Sequence, residues 1–421
     1  MDKIGAIYSK MVEEYKKNKN RLTIINILMR FCGNKDNTNE DVYKLKKKLE
    51  TEFSLDVGCN YLLYFVTPDK YGCDLRELFF KRDGSIIDND GDDALIKRQS
   101  LLKLFTERQY TIDSKKIPHI LTDIDDTLYP NHEHGLAGSD LSWIIKEHFP
   151  GIKKFYELFY SNLNENSKYS TVLSATPGPL KSKKLLDKHD LIKPVLGKEF
   201  GFIQGVDSKH EHITGPILLA REHGLDSRYQ MYGETKYRRC KEYSQLFPEH
   251  QIIFIGDNGQ GDLIAGKMML EDSDLTGTKV FIHKIYEKTG LKKSSEENNE
   301  KYKGRLYFYK NYLELGKLFV DVGLFTEEKL GELKAAVLED IKKNLDKICE
   351  STPLSECKKN KIYEQMVSHY FCCEIEGCET IPNCIARSDT VLSKGGRKSK
   401  QKNKSKRKKH QRRKTTRNKK H

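Results

Sequence analysis

No stretch of this 421-residue chain approaches the ~20 consecutive apolar residues that span a bilayer. The opening MDKIGAIYSKMVEEYKK holds no apolar h-region, which argues against a secretory signal. None of the ten cysteines belongs to a CxxC pair, and without an export signal they read as reduced thiols. The segment from Ser393 to His421 has no Asp, no Glu and no apolar residue. It cannot bury a core, so it is expected to be a disordered basic tail.

What that tail does contain is 16 Lys and Arg in 29 residues. The whole chain carries a formal charge of +14, so residues 1–392 are close to neutral and the basic character belongs to the appendage. A polycation of this kind binds polyanions by counterion release. Nucleic acid, an anionic lipid surface, or an import receptor reading KSKRKKHQRRK each suits it. The expected location is the cytoplasm, with the nucleus or the periphery of a membrane as the places the tail points to.

The length allows two or three domains. Residues 1–31 read as a helix, and NEDVYKLKKKLETEF (39–53) as another. NYLLYFVTP (60–68) reads as a strand, and ELFFKRDGSII as a hairpin turning at Asp83-Gly84. Residues 1–115 are therefore expected to form a separate α+β module. From 116 to 290 the short apolar runs HILT, STVLSA, IIFIG and KVFIHK alternate with longer amphipathic segments. That alternation predicts an α/β fold, a three-layer Rossmann-like parallel sheet covered by helices. A polar linker (289–304) leads to a helical region within 291–392. There Thr326 caps a helix whose apolar residues, Leu330, Leu333, Val337, Ile341, Leu345 and Ile348, recur at i+3 or i+4.

The run HILT is followed at once by DIDDT, which puts Asp123, Asp125 and Asp126 within four positions. An Asp-rich turn after a strand is, by itself, a solvated loop. At the carboxyl end of a strand in a parallel sheet, however, it sits where ligands bind. There Asp123 can attack phosphorus and form an aspartyl-phosphate. Asp125, on the same side, can protonate the leaving oxygen and then activate water. Thr127 can hold the turn and serve the phosphate site, while Asp126 points away. Further elements follow in order. Ser174 ends the second run and can bind a phosphate oxygen. Lys236 can neutralise nucleophile and phosphate. Asp257 and Asp262, in GDNGQGD, add carboxylates on a Gly-rich loop. Oxygen-only ligands beside a phosphate favour Mg²⁺.

DIDDT, Ser174, Lys236 and GDNGQGD together resemble the four motifs of the haloacid-dehalogenase superfamily of phosphohydrolases. Within it the likeness is greatest to the catalytic domain of actin-patch-type phosphatidate phosphatases. It rests on DIDDT, PGIKKFYELF, SATP and the K…FP…IGDNGQGD series, over about residues 118–288. Thr176 and Gly178 stand where that branch has Ser and Trp, and DLI replaces its DPE; these departures bear on substrate more than on chemistry. The resemblance implies Asp123 as nucleophile and Asp125 as general acid/base, with Ser174 and Lys236 holding phosphate. It implies Mg²⁺ bound by Asp123, Asp257 and the Asp125 carbonyl, with Asp262 either a ligand or a partner of one. Phosphatidate is the substrate it favours. A nucleic-acid-end or phosphoprotein phosphatase, and a non-catalytic polyanion-binding protein, are the alternatives.

Other features carry less. IIDNDGDDALIK has Ile86 and Lys97 where a calcium loop needs Asp and Glu, so that site is rejected. His369, Cys372, Cys373, Cys378 and Cys384, with Cys349 and Cys357 upstream, lack paired zinc spacing. His132 and His134 read as parts of a polar loop.

Overall fold

The computed structural model describes residues 2–57, 75–130 apart from 82, 83 and 89, then 140, 148–161, 163, 170–174, 201–204, 225–287 apart from 260, and 290–351. The strand expected at 60–68, His132 and His134, most of the C-terminal cysteine cluster and the basic tail lie outside the described residues.

The helix expected over 1–31 is two helices, α1 (Lys3–Asn18) and α2 (Arg21–Gly33). Lys19 takes a left-handed conformation between them, and the Asn20 side chain accepts from Leu22 N to start the second helix. Asparagine favours such caps over helix interiors, and this splits the run. Thr38 and Asp41 form a capping box on α3 (Asn39–Thr51), followed by the short α4 (Phe53–Asp56). The expected hairpin at ELFFKRDGSII is smaller than its sequence suggests. A 3-10 turn (Arg76–Leu78) takes up the start of the first apolar run, and among the described residues a single antiparallel bridge pairs Phe80 with Ile86. The acidic run rejected as a calcium loop has structural partners. Asp90 pairs with the buried Arg98 on α5 (Asp92–Glu107), and Asp88 pairs with Lys81.

The four apolar runs all become strands. They are β1 (Ile117–Thr122), β2 (Thr171–Ser174), β4 (His250–Asp257) and β5 (Lys279–His283), with β3 (Gly201–Gln204) beyond β2. A two-residue ribbon, β6 (Tyr286–Glu287) with β7 (Gly290–Leu291), follows β5. The sheet does not stop at the expected boundary of 290. The segment read as a linker buries Tyr302 and leads into β8 (Leu306–Tyr309), which pairs with β5. The result is a six-stranded sheet of order β3-β2-β1-β4-β5-β8, parallel at every pairing.

Alternate residues along β4 feed two separate cores. Ile252 and Phe254 join one cluster, Ile253 and Ile255 the other. Strand side chains alternate in this way, so each cluster marks one face of the sheet. The first face is covered by the N-terminal helices with α7 (Leu225–Leu246) and α8 (Asp262–Glu271). The second is covered by α6 (Ile152–Tyr160), α9 (Tyr312–Asp321) and α10 (Glu327–Ser351), where Leu333, Val337 and Ile341 are buried. Sequence position does not separate these cores. Tyr8, Leu28 and Phe105 share a cluster with Leu121 and Phe254. The chain is an α/β protein with helices on both faces of a parallel sheet.

Candidate functional site

β1 is flanked by β2 on one side and β4 on the other, so the strand order reverses between β1 and β4. The crevice outside the carboxyl ends of two such strands is where open parallel sheets place ligands. Asp123 follows β1 directly, and its N–H continues the ladder to Ile255 O at 2.9 Å. Asp257 is the last residue of β4, and Asp262 the first of α8. Gly261 precedes Asp262 at φ 96, a conformation that glycine adopts without penalty. Gly256 makes room for the arrangement, because a Cβ there would run into the Asp262 carboxylate.

The three carboxylates offer oxygens that all lie within 4.8 Å of one another, and all three residues are buried. Lys236 reaches them from α7. Its ammonium lies 2.9 Å from Asp123 Oδ1 and also donates to Asp262 Oδ1. Asp262 Oδ2 accepts from the Asp257 backbone N–H at 3.2 Å, and Asp257 Oδ1 accepts from Gly259 N. Asp257 Oδ2 is buried with no hydrogen-bond partner. Among the described residues, one ammonium, paired with Asp123 and Asp262, thus stands beside three clustered carboxylates.

The electrostatics follow from that imbalance. Burial pushes the Asp123 carboxyl up to about 7 against the pull of Lys236, and Asp262 and Asp125 add to the rise. Asp257 is held well above the carboxylate range, by burial first and then by Asp262, Asp123 and Asp126. Burial works against the Lys236 ammonium, but Asp123 and Asp262 outweigh it and raise its pKa. A divalent cation fits this donor set. It would supply the missing positive charge and give Asp257 Oδ2 the partner it lacks.

The remaining expected residues divide. Asp125 is buried beside the cluster, but its side chain turns to Tyr129, whose hydroxyl donates to Asp125 Oδ1 at 3.2 Å. Its carboxylate is not one of the three that converge. Thr127 Oγ1 is buried without a hydrogen-bond partner. Ser174 ends β2 at the same carboxyl edge by its register with Gln204, and its side chain lies outside the described residues. Asp126 takes φ 58 and accepts from Asp140 N at 2.9 Å, so it shapes the turn.

Two further residues in the surroundings, one in KVFIHK and one in GDNGQGD, have no role assigned from the sequence. His283, at the end of β5, lies with Nδ1 2.7 Å from Asp126 O and Nε2 3.1 Å from Lys310 O, and so ties the turn to the end of β8. Asn258 accepts from Ile285 N at 3.1 Å and donates to Lys292 O at 3.0 Å, joining the Asp257 loop to the ribbon. The only signal for His283 was its position at the end of an apolar run; for Asn258 it was its place after Asp257. No family model, curated protein or solved structure matches this chain.

Proposed function

We propose that the chain is a Mg²⁺-dependent phosphomonoester hydrolase working through an aspartyl-phosphate on Asp123. One observation carries this reading. Two segments far apart in sequence, one with Asp123 and one with Asp257 and Asp262, bring three buried carboxylates together beside the buried Lys236 ammonium at the carboxyl edge of the β1–β4 pair. A scaffold gains nothing from such a like-charge excess, whereas a site for a cation and a phosphate needs it.

In this reading Asp123 Oδ attacks phosphorus, the bond to the leaving oxygen breaks, and Asp125 gives that oxygen its proton. Asp125 then takes a proton from water, whose oxygen attacks the aspartyl-phosphate. Inorganic phosphate leaves and Asp123 is restored. Lys236 holds Asp123 in place and offsets the charge of the incoming phosphate. Mg²⁺, held by Asp123 and Asp257 with Asp262 beside them, would supply charge neutralisation at the phosphoryl oxygens. Thr127 and Ser174 are the hydroxyl candidates for phosphate contacts.

Phosphatidate is the substrate that the motif resemblance favours. Among the described residues no helix is long and apolar enough to cross a membrane, so a lipid substrate would be met at a surface. The 16 basic residues of the tail suit anionic lipid and nucleic acid equally, which keeps a phosphorylated nucleic-acid end as the second substrate class. A panel of phosphatidate vesicles, a phosphorylated DNA end and phosphopeptides, with and without Mg²⁺, tests the reading. Turnover by wild type and none by Asp123→Asn supports it, and no turnover of any phosphomonoester sinks it. Deleting 393–421 should lower activity on anionic vesicles at low salt and spare a soluble substrate. Loss of DNA binding alone moves the nucleic-acid reading ahead.

A further inference from the structure

We infer that Tyr129 is a positioning residue for Asp125, holding the acid that serves substrates whose leaving group needs a proton. This rests on the phosphatase reading and adds a residue outside its four motifs. Tyr129 is fully buried, at 0% exposure, with its ring in the cluster shared with α6, α9 and α10. Its hydroxyl donates to Asp125 Oδ1 at 3.2 Å. The backbone brings the two together. Asp126 at φ 58 reverses the chain, its N–H donates to Tyr129 O at 2.9 Å, and Asp125 and Tyr129 form a bridge pair. The chain that leaves the catalytic turn thus folds back and lays its next aromatic side chain against the acid.

A phenol suits both halves of the proposed cycle. Its hydroxyl can donate to the Asp125 carboxylate and accept from the Asp125 carboxylic acid, so contact persists in either state. Burial, with the Asp125 charge next, raises the Tyr129 pKa, so the phenol keeps its proton. With Oδ1 tethered, the carboxyl group loses rotational freedom. That restraint matters only where proton transfer is needed. An alkoxide leaves phosphorus poorly without the Asp125 proton, whereas p-nitrophenolate leaves well without it.

The test compares Tyr129→Phe with wild type on p-nitrophenyl phosphate and on an alkyl phosphomonoester, reading kcat/KM in saturating Mg²⁺. That ratio ends at phosphorylation of Asp123 and does not see the shared hydrolysis step. On the alkyl substrate it should fall about tenfold, and on p-nitrophenyl phosphate it should stay within about twofold, as expected for weakened general acid catalysis. Asp125→Asn, run alongside, should discriminate in the same direction with a larger loss. Equal losses on both substrates in Tyr129→Phe, while Asp125→Asn still discriminates, overturn the inference and leave the phosphatase reading standing. If Asp125→Asn does not discriminate either, Asp125 is not the acid, and both readings of that residue fall. Should Tyr129→Phe fail to fold, 3-fluorotyrosine at position 129 acidifies the hydroxyl at nearly constant volume. It should change the slope of rate against leaving-group acidity over a series of aryl phosphates, and an unchanged slope overturns the inference.

Discussion

Both ends of the β1–β4 pair are buried and charged, and they are built on opposite principles. At the amino edge, Lys46 from α3 lies 2.8 and 2.9 Å from the two Glu249 oxygens and donates to Leu246 O at 2.7 Å. Phe105 and Phe247 flank the ammonium at 4.6 and 5.0 Å. Beside it His250 meets Tyr43 and Tyr243 hydroxyls at its two ring nitrogens, at 3.1 and 3.0 Å. Lys46 and Glu249 form a directly matched ion pair there, with the buried Lys47 close to the histidines. At the carboxyl edge, among the described residues, the Lys236 ammonium pairs with Asp123 and Asp262 beside a third carboxylate, Asp257, whose Oδ2 has no hydrogen-bond partner. The Lys46–Glu249 pair at one edge ties an N-terminal helix to the sheet, while the charge mismatch at the other is what the proposed cation and phosphate would offset.

The largest effect should come from the mismatched edge, on rate rather than stability. Asp123→Asn should abolish turnover, because an amide cannot attack phosphorus. It also removes one of the repelling charges, so its melting temperature without divalent ions should equal or exceed that of wild type. Wild-type-like activity in the purified variant would sink the nucleophile assignment. Lys46→Ala is the opposite experiment. Removing one partner of a buried pair costs ~3–5 kcal/mol, because Glu249 is left uncompensated. Chemical denaturation should show that loss, while activity per folded molecule stays near wild type. A silent Lys46→Ala would mean that the amino edge holds nothing together.

Mg²⁺ should act on one edge only. A ligand present at 100 times its dissociation constant stabilises the folded state by ~2.7 kcal/mol. Wild type should gain a shift of that size in a thermal melt, and Asp257→Asn a smaller one with a higher Mg²⁺ requirement for activity. Lys46→Ala should respond to Mg²⁺ as wild type does. Full activity after EDTA treatment would refute a metal at the carboxyl edge.

The sequence revealed the carboxyl edge better than the amino edge, and the reason is physical. Four apolar runs ended in chemically unusual residues, and two of those ends, Asp123 and Asp257, with Asp262 and Lys236, form a group that the fold brings together. Lys46 and Glu249 lie in ordinary polar segments, and nothing local marks them as buried partners. The same blindness hid β3 and β8. GFIQ and LYFY are four-residue strands that exist because a neighbouring edge pairs with them. Register beyond the strand ends was equally hidden, so the return of Tyr129 onto Asp125 emerged only from the backbone of Asp126. Helix periodicity was legible through Val337 and Ile341, whereas the break at Lys19 depended on a cap that outweighed the apolar pattern.

The smallest effect concerns pH, and it too belongs to the amino edge. His119 stacks on His250 with ring centroids 4.4 Å apart, and His119 Nε2 lies 2.9 Å from Thr171 Oγ1. Burial lowers both pKa values well below the ordinary imidazole range, and the nearby Lys47 lowers both further, as His119 does for His250. Both rings are therefore neutral in the folded protein at neutral pH, whereas in the unfolded chain each takes up a proton near pH ~6.5. Below that value the unfolded state binds more protons than the folded one, so stability is fully present above it and falls as pH drops. Between pH 7 and 6 the two rings together should remove ~1 kcal/mol, with a steeper loss below pH 6. The measurement is the denaturation free energy from pH 8 to 5 in saturating Mg²⁺, for wild type and for His119→Gln combined with His250→Gln. The double variant should begin less stable and lose less with acid. Parallel curves for the two proteins would show that the acid sensitivity arises elsewhere, and the stacked pair would then be packing alone.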